Sequence, residues 1–111
     1  MERLVFYRNQ IPVELMRIMV VDETNRPRNL NAYSNAVLFM TDPDGEPIDA
    51  MSNGGSVSFA DRQGGVLMYR FPKHTLFEKR GQYEIQVKLM ADTREDYTDV
   101  VTLHVVRSLE G

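Results

Sequence analysis

Residues 75–90, T-L-F-E-K-R-G-Q-Y-E-I-Q-V-K-L-M, decide how this chain folds. From Tyr83 to Leu89 the residues alternate without a break: Tyr83, Ile85, Val87 and Leu89 share one parity, and Glu84, Gln86 and Lys88 share the other. Side chains on a strand point to opposite faces in turn, so the stretch predicts a strand with one buried face and one wet face.

Working outward, Gly81 permits a backbone turn that most residues resist, and Tyr83 follows where the strand begins. In immunoglobulin-like sandwiches a Tyr near the start of the sixth strand buries its ring and hydrogen-bonds its hydroxyl to backbone just upstream. Gly81-Gln82-Tyr83 fits such a corner, with an ordinary buried Tyr after a glycine turn as the simpler alternative.

Upstream, Leu4 to Tyr7 predicts a first edge strand, interrupted by Pro12, which cannot donate to a ladder. Residues 14–22 predict a strand with Met16, Ile18 and Val20 toward the core. Leu15, Arg17, Met19 and Val21 lie on the other face, so Met19 and Val21 need cover from an edge or a second chain. A polar connection over 23–35 follows, longer than most, with Tyr33 as its candidate contact aromatic. A strand over 36–41 runs into Asp42-Pro43-Asp44-Gly45, where Pro43 presets a β-turn and Gly45 closes it, so a hairpin back through 46–50 is expected. In that strand Val37 and Phe39 are assigned inward, Leu38 and Met40 outward.

Val57 and Phe59 then mark a short half-buried strand. Residues 66–71 form another, with Leu67, Tyr69 and Phe71 inward and Met68 and Arg70 opposed. After a polar turn over 91–98, Val101, Leu103 and Val105 alternate inward against Thr102 and His104, and 108–111 form a loose end. The expected fold is an all-β, immunoglobulin-like antiparallel β-sandwich of seven or eight strands in a single domain, residues 1–111, with a small closed barrel as the rival.

Composition narrows the function. With 42% hydrophobic and 26% charged residues, the chain has a core to build. A net charge of -3 argues against nucleic acid and anionic membranes as partners. The absence of Cys rules out disulfides and thiolate metal sites. No basic start and apolar run mark a signal peptide, so export by that route is not expected.

Catalytic constellations are equally sparse. His74 and His104 are the two imidazoles, and both are placed on the surface. Asp42, Asp44 and Glu46 alternate like the start of a calcium loop, but Pro47 and Asn53 stand where an EF-hand needs Gly and Glu. Asp92, Glu95, Asp96 and Asp99 surround Arg94 as a solvated loop tip. Neither Gly54-Gly55 nor Gly64-Gly65 precedes a helix or a Lys-Ser/Thr pair. The expectation is a non-enzyme with no cofactor and no metal. The candidate contact residues are Met19, Val21, Tyr33, Leu38, Met40 and Met68; methionines adapt to irregular contacts.

Four stretches together resemble a known family: V-L-F-M-T-D-P-D-G-E-P-I at 37–48, G-G-V-L-M-Y-R-F-P at 64–72, T-L-F-E-K-R-G-Q-Y-E-I-Q-V-K-L at 75–89, and the Thr-led strand at 98–106. They are similar to the immunoglobulin-like N-terminal domain of siphophage upper baseplate proteins. The resemblance spans roughly residues 14–106, and other sandwiches share its corner and turn. It implies a phage or prophage virion structural protein, a tail or baseplate component contacting other phage structural proteins, with a homo-oligomer expected and no catalytic residues to carry over. It also implies assembly into the virion after synthesis in a bacterial cytoplasm. In that family the domain usually leads into further segments, so a stand-alone protein, an excised domain and another tail or neck component all stay open. The alternative is a carbohydrate-binding module using Tyr33, Tyr97 and Phe77, or an adhesion sandwich pairing through an edge at 4–7 or 57–59.

Overall fold

The computed structural model describes residues 4–109, and within them the chain is all β. Its strands are β1 (Leu4–Tyr7), β2 (Met16–Met19), β3 (Asn35–Thr41), β4 (Pro47–Ile48), β5 (Ser56–Asp61), β6 (Val66–Arg70), β7 (Gly81–Ala91), β8 (Arg94–Tyr97) and β9 (Val101–Val106). One sheet has the order β1-β9-β7-β3-β4, with β8 also paired to β7; the other has the order β2-β6-β5. β1 runs parallel to β9, and every other pairing is antiparallel. The chain changes sheet from β1 to β2, β2 to β3, β4 to β5 and β6 to β7, which builds the two-layer immunoglobulin-like sandwich. The expected loose end at 108–111 and the outermost residues of the expected domain lie partly outside the described residues.

The decisive stretch becomes β7, the longest strand, paired with β3 on one side and with both β8 and β9 on the other. Tyr83, Ile85, Val87 and Leu89 are all buried, as their parity required. They face Met16, Ile18, Leu67 and Tyr69 from the smaller sheet within one continuous core. An aromatic chain runs through it: Tyr69 meets Phe71 edge-on at 4.8 Å, Phe71 meets Phe77 at 5.9 Å, and Phe77 meets Tyr83 at 90° and 5.5 Å. These are the edge-to-face geometries that aromatic quadrupoles favour.

The tyrosine corner is present. Tyr83 Oη donates to the Lys79 carbonyl at 2.7 Å and accepts the Lys79 N–H at 3.0 Å. The turn after β3 is docked onto it. Gly45 N–H donates to the Asp42 carbonyl at 2.9 Å, and Asp42 Oδ1 accepts the N–H groups of Asp44 and Glu46, each at 2.9 Å.

Four expectations are corrected. In β3 the parity is reversed: Ala36, Leu38 and Met40 are buried, and Phe39 is half exposed. The register explains it, since Thr41 pairs with Glu84 and Phe39 with Gln86, so the odd positions share the wet face of β7. The polar turn over 91–98 contains a strand, β8, joined to β7 by the short link at Asp92 and Thr93. Strands β4 and β8 bring the described count to nine, above the seven or eight expected. Val101 keeps the inward parity opposite buried Ile85, but as the first residue of β9 it is 37% exposed rather than covered.

Candidate protein-contact surfaces

The six candidate contact residues fall into two groups. Met19, 49% exposed, and Met68, partly buried, sit on the outer face of the β2-β6-β5 sheet, brought together by the pairings Arg17 with Met68 and Met19 with Val66. Val21 continues that face, partly covered through its bridge to Pro27. The other three candidates are core residues, corrected here. Leu38 and Met40 are 2% exposed because β3 has the opposite parity. Tyr33 is buried because the 23–35 connection folds back over the sandwich.

Tyr33 has a structural task instead. Its hydroxyl donates to Asp96 of β8 and accepts from Arg28, and Arg28 itself reaches Asp96 at 3.3 Å. Loss of water, and then the hydrogen bond to Asp96, hold its phenol above the ordinary value. The three residues fasten the long connection to the β7–β8 hairpin, while Leu30, fully buried with its N–H on the Arg62 carbonyl, ties it to the β5–β6 turn.

The surface that sequence reasoning missed is the outer face of the larger sheet. Phe39 stands on β3, 50% exposed, and across β7 from it Val100 and Tyr97 are equally open at 51% and 54%. Gln86 pairs with Phe39 and Lys88 with both Val37 and Tyr97, so all of these side chains share one face. The face is firmly backed where β8 gives way to β9. There Thr98 Oγ1 accepts the Val87 N–H at 3.0 Å, Thr98 N–H donates to the Val87 carbonyl at 2.9 Å, and Gln86 Nε2 donates to the Thr98 carbonyl at 2.9 Å. The available signal was the polar pair Asn35 and Thr41, which flank β3 and share the parity of Val37 and Phe39.

A second apolar feature lies where the sandwich opens at β1 and β2. Each of these strands has one paired side. Between them runs a groove of about 540 Å³ floored by Leu4, Phe6, Met16 and Phe71, with Ile11 and Val13 on its rim. The edge positions proposed from sequence are edges in fact: β1 ends the larger sheet and β5 the smaller.

The polar hollow under the tyrosine corner, about 240 Å³, gathers His74, Asp42, Asp49, Glu78 and Lys79. Its principal polar groups have structural partners. Lys79 Nζ bridges Asp42 at 3.1 Å and Asp44 at 2.7 Å, Asp49 Oδ1 accepts the N–H groups of Met51 and Ser52, and His74 Nδ1 lies 2.9 Å from the Asn53 side-chain amide. Two of the three aromatics proposed for stacking a sugar, Tyr33 and Phe77, are buried, so Tyr97 stands alone in that role. Among the described residues no group of acids and imidazoles is arranged to hold a metal ion, and no helix is long and apolar enough to cross a membrane. Neither a protein-family model nor a curated relative matches the chain.

Proposed function

We propose that this protein is a structural module that works through protein–protein contact within a symmetric assembly, in the manner of a phage tail or baseplate component. The observation that carries the contact reading is Phe39, half exposed on the outer face of the larger sheet, with Val100 and Tyr97 exposed across β7 from it. Single exposed hydrophobics are ordinary, but three on one side of a sheet, two of them lining a common hollow, mark a surface suited to burial against another protein. Most soluble oligomers are closed and symmetric, so the reading includes self-association. Sedimentation over rising concentration tests it, with a concentration-dependent closed oligomer expected and a strict monomer throughout counting against it.

The virion assignment rests on the resemblance of residues 37–48, 64–72, 75–89 and 98–106 to the siphophage baseplate domain. Tail, tape-measure or portal genes beside the coding gene would support it, and a metabolic operon would oppose it. An adhesion sandwich that pairs through an edge is the second reading, favoured by the apolar groove between the open edges of β1 and β2. Backbone amide shifts confined to residues 4–19 on adding an apolar extended peptide would separate it from the first.

A further inference from the structure

We infer that the occupant of the Phe39 face is a second copy of the same face, packed sheet on sheet across a two-fold axis that lies between the copies and crosses the strands at Gln86. The inference rests on the contact reading above and specifies its partner and geometry.

The outward positions of β7 in this region are Glu84, Gln86 and Lys88, an acid and a base placed symmetrically about a neutral centre. Glu84 is exposed and makes no ion pair among the described residues; Lys88 holds Glu95 at 3.1 Å. An isologous interface requires that if residue i meets residue j, then j meets i. An axis across the strands at Gln86 turns the second β7 antiparallel to the first. Glu84 of each copy then lies opposite Lys88 of the other, giving two equivalent attractive pairs. An axis along the strands would instead set Glu84 against Glu84 and Lys88 against Lys88, and like charges placed opposite each other repel. The charge pattern therefore selects one of the two ways the faces can meet.

Shape agrees with charge. Phe39, level with Gln86 in the register, projects beside a hollow of about 180 Å³ bounded by Thr41, Glu84, Gln86 and Val100. Because Phe39 is level with Gln86, this axis sets each copy's Phe39 opposite the other's, so the two half-exposed rings cover each other where the faces meet. Packed sheets keep their strands within about 30° of alignment, which leaves Val100 and Tyr97 to be covered at the sides.

Charge reversal in the full chain tests this. Glu84→Lys alone sets two lysines together at both pairs, and Lys88→Glu alone sets two acids together; each is expected to weaken self-association at least about tenfold. Mixing the two single variants restores both attractive pairs, so a heterodimer near wild-type affinity is expected. Phe39→Arg is expected to give a monomer whose thermal melting matches wild type in dilute protein, where association does not enter, since the side chain lies outside the core. A wild-type oligomer indifferent to both charge reversals, or single variants that weaken but do not recover on mixing, overturns this geometry and leaves the contact reading standing. A wild-type monomer at every concentration overturns both.

Discussion

The hydroxyl of Tyr83 closes on the backbone of Lys79 from both sides, donating to its carbonyl at 2.7 Å and accepting its N–H at 3.0 Å. One phenol thus satisfies both polar groups of a residue that lies outside any strand, while its ring stays in the aromatic chain with Phe77. Tyr83→Phe keeps the ring and removes both bonds. The expected loss is about 1–3 kcal/mol, the range for leaving polar groups unsatisfied, read as a lower denaturation midpoint with an unchanged denaturant slope.

The corner also depends on Gly81. Its φ is +134°, and a Cβ built there would lie 2.8 Å from Pro43 Cγ and 3.0 Å from Pro43 Cβ. The β3–β4 turn therefore sits against the corner with no room for a side chain. Gly45, at φ +81°, meets nothing within 4 Å, so only its backbone conformation matters. Gly81→Ala is expected to destabilise by roughly 1–3 kcal/mol through strain and collision, whereas Gly45→Asn, which tolerates positive φ, is expected to stay within about 0.5 kcal/mol. Equal losses in urea unfolding would contradict the docking of turn on corner.

The parts of the fold that were legible in the sequence are those where polar and apolar residues alternate. In β7 the charges of Glu84 and Lys88 state which face is wet, and in β6 Arg70 does the same for Leu67, Tyr69 and Phe71. In β3 the run Ala36 to Met40 is apolar on both faces, so only its polar ends carried the answer, and the contact face built on Phe39 was hidden with it. Strand β8, Arg-Glu-Asp-Tyr, is exposed throughout and has no burial period to detect; it exists because it extends an edge of β7. The covering of Tyr33 depends on Arg28 and Asp96, a pairing between residues far apart in the chain that no local pattern encodes.

Stability should fall on both sides of neutral pH. Loss of water is the first cause raising the phenols of Tyr33, Tyr69 and Tyr83 above their ordinary 10.0. Above about pH 10 the unfolded chain then binds fewer protons than the folded one, so stability declines as pH rises. On the acid side, Asp22, Asp42 and Asp49 lie below 3.8, held down first by the Thr24 hydroxyl, the Glu46 N–H and the Ser52 hydroxyl respectively. Their contribution is present above that value and is lost as pH falls through the folded-state values. Denaturant midpoints measured across the range should show a plateau with two shoulders, and Tyr69→Phe should flatten the alkaline one. An alkaline shoulder unchanged in that variant would contradict the role given to the buried phenol.

Adjacent residues in β3 separate the core from the contact face. Leu38 is 2% exposed and pairs with Val87, so Leu38→Ala leaves a hole between the sheets. The expected loss is about 2–5 kcal/mol, the transfer term plus the cavity. Phe39, one residue on, projects from the other side of the sheet. Phe39→Ser in dilute protein, where association does not enter, is expected to change stability by less than about 1 kcal/mol. At high concentration the order should reverse for assembly: Phe39→Ser abolishes the concentration dependence of sedimentation, while Leu38→Ala retains it wherever the chain stays folded. If Phe39→Ser proved the more destabilising change in dilute solution, β3 would have the opposite face to the core, and the contact surface would have to be sought elsewhere.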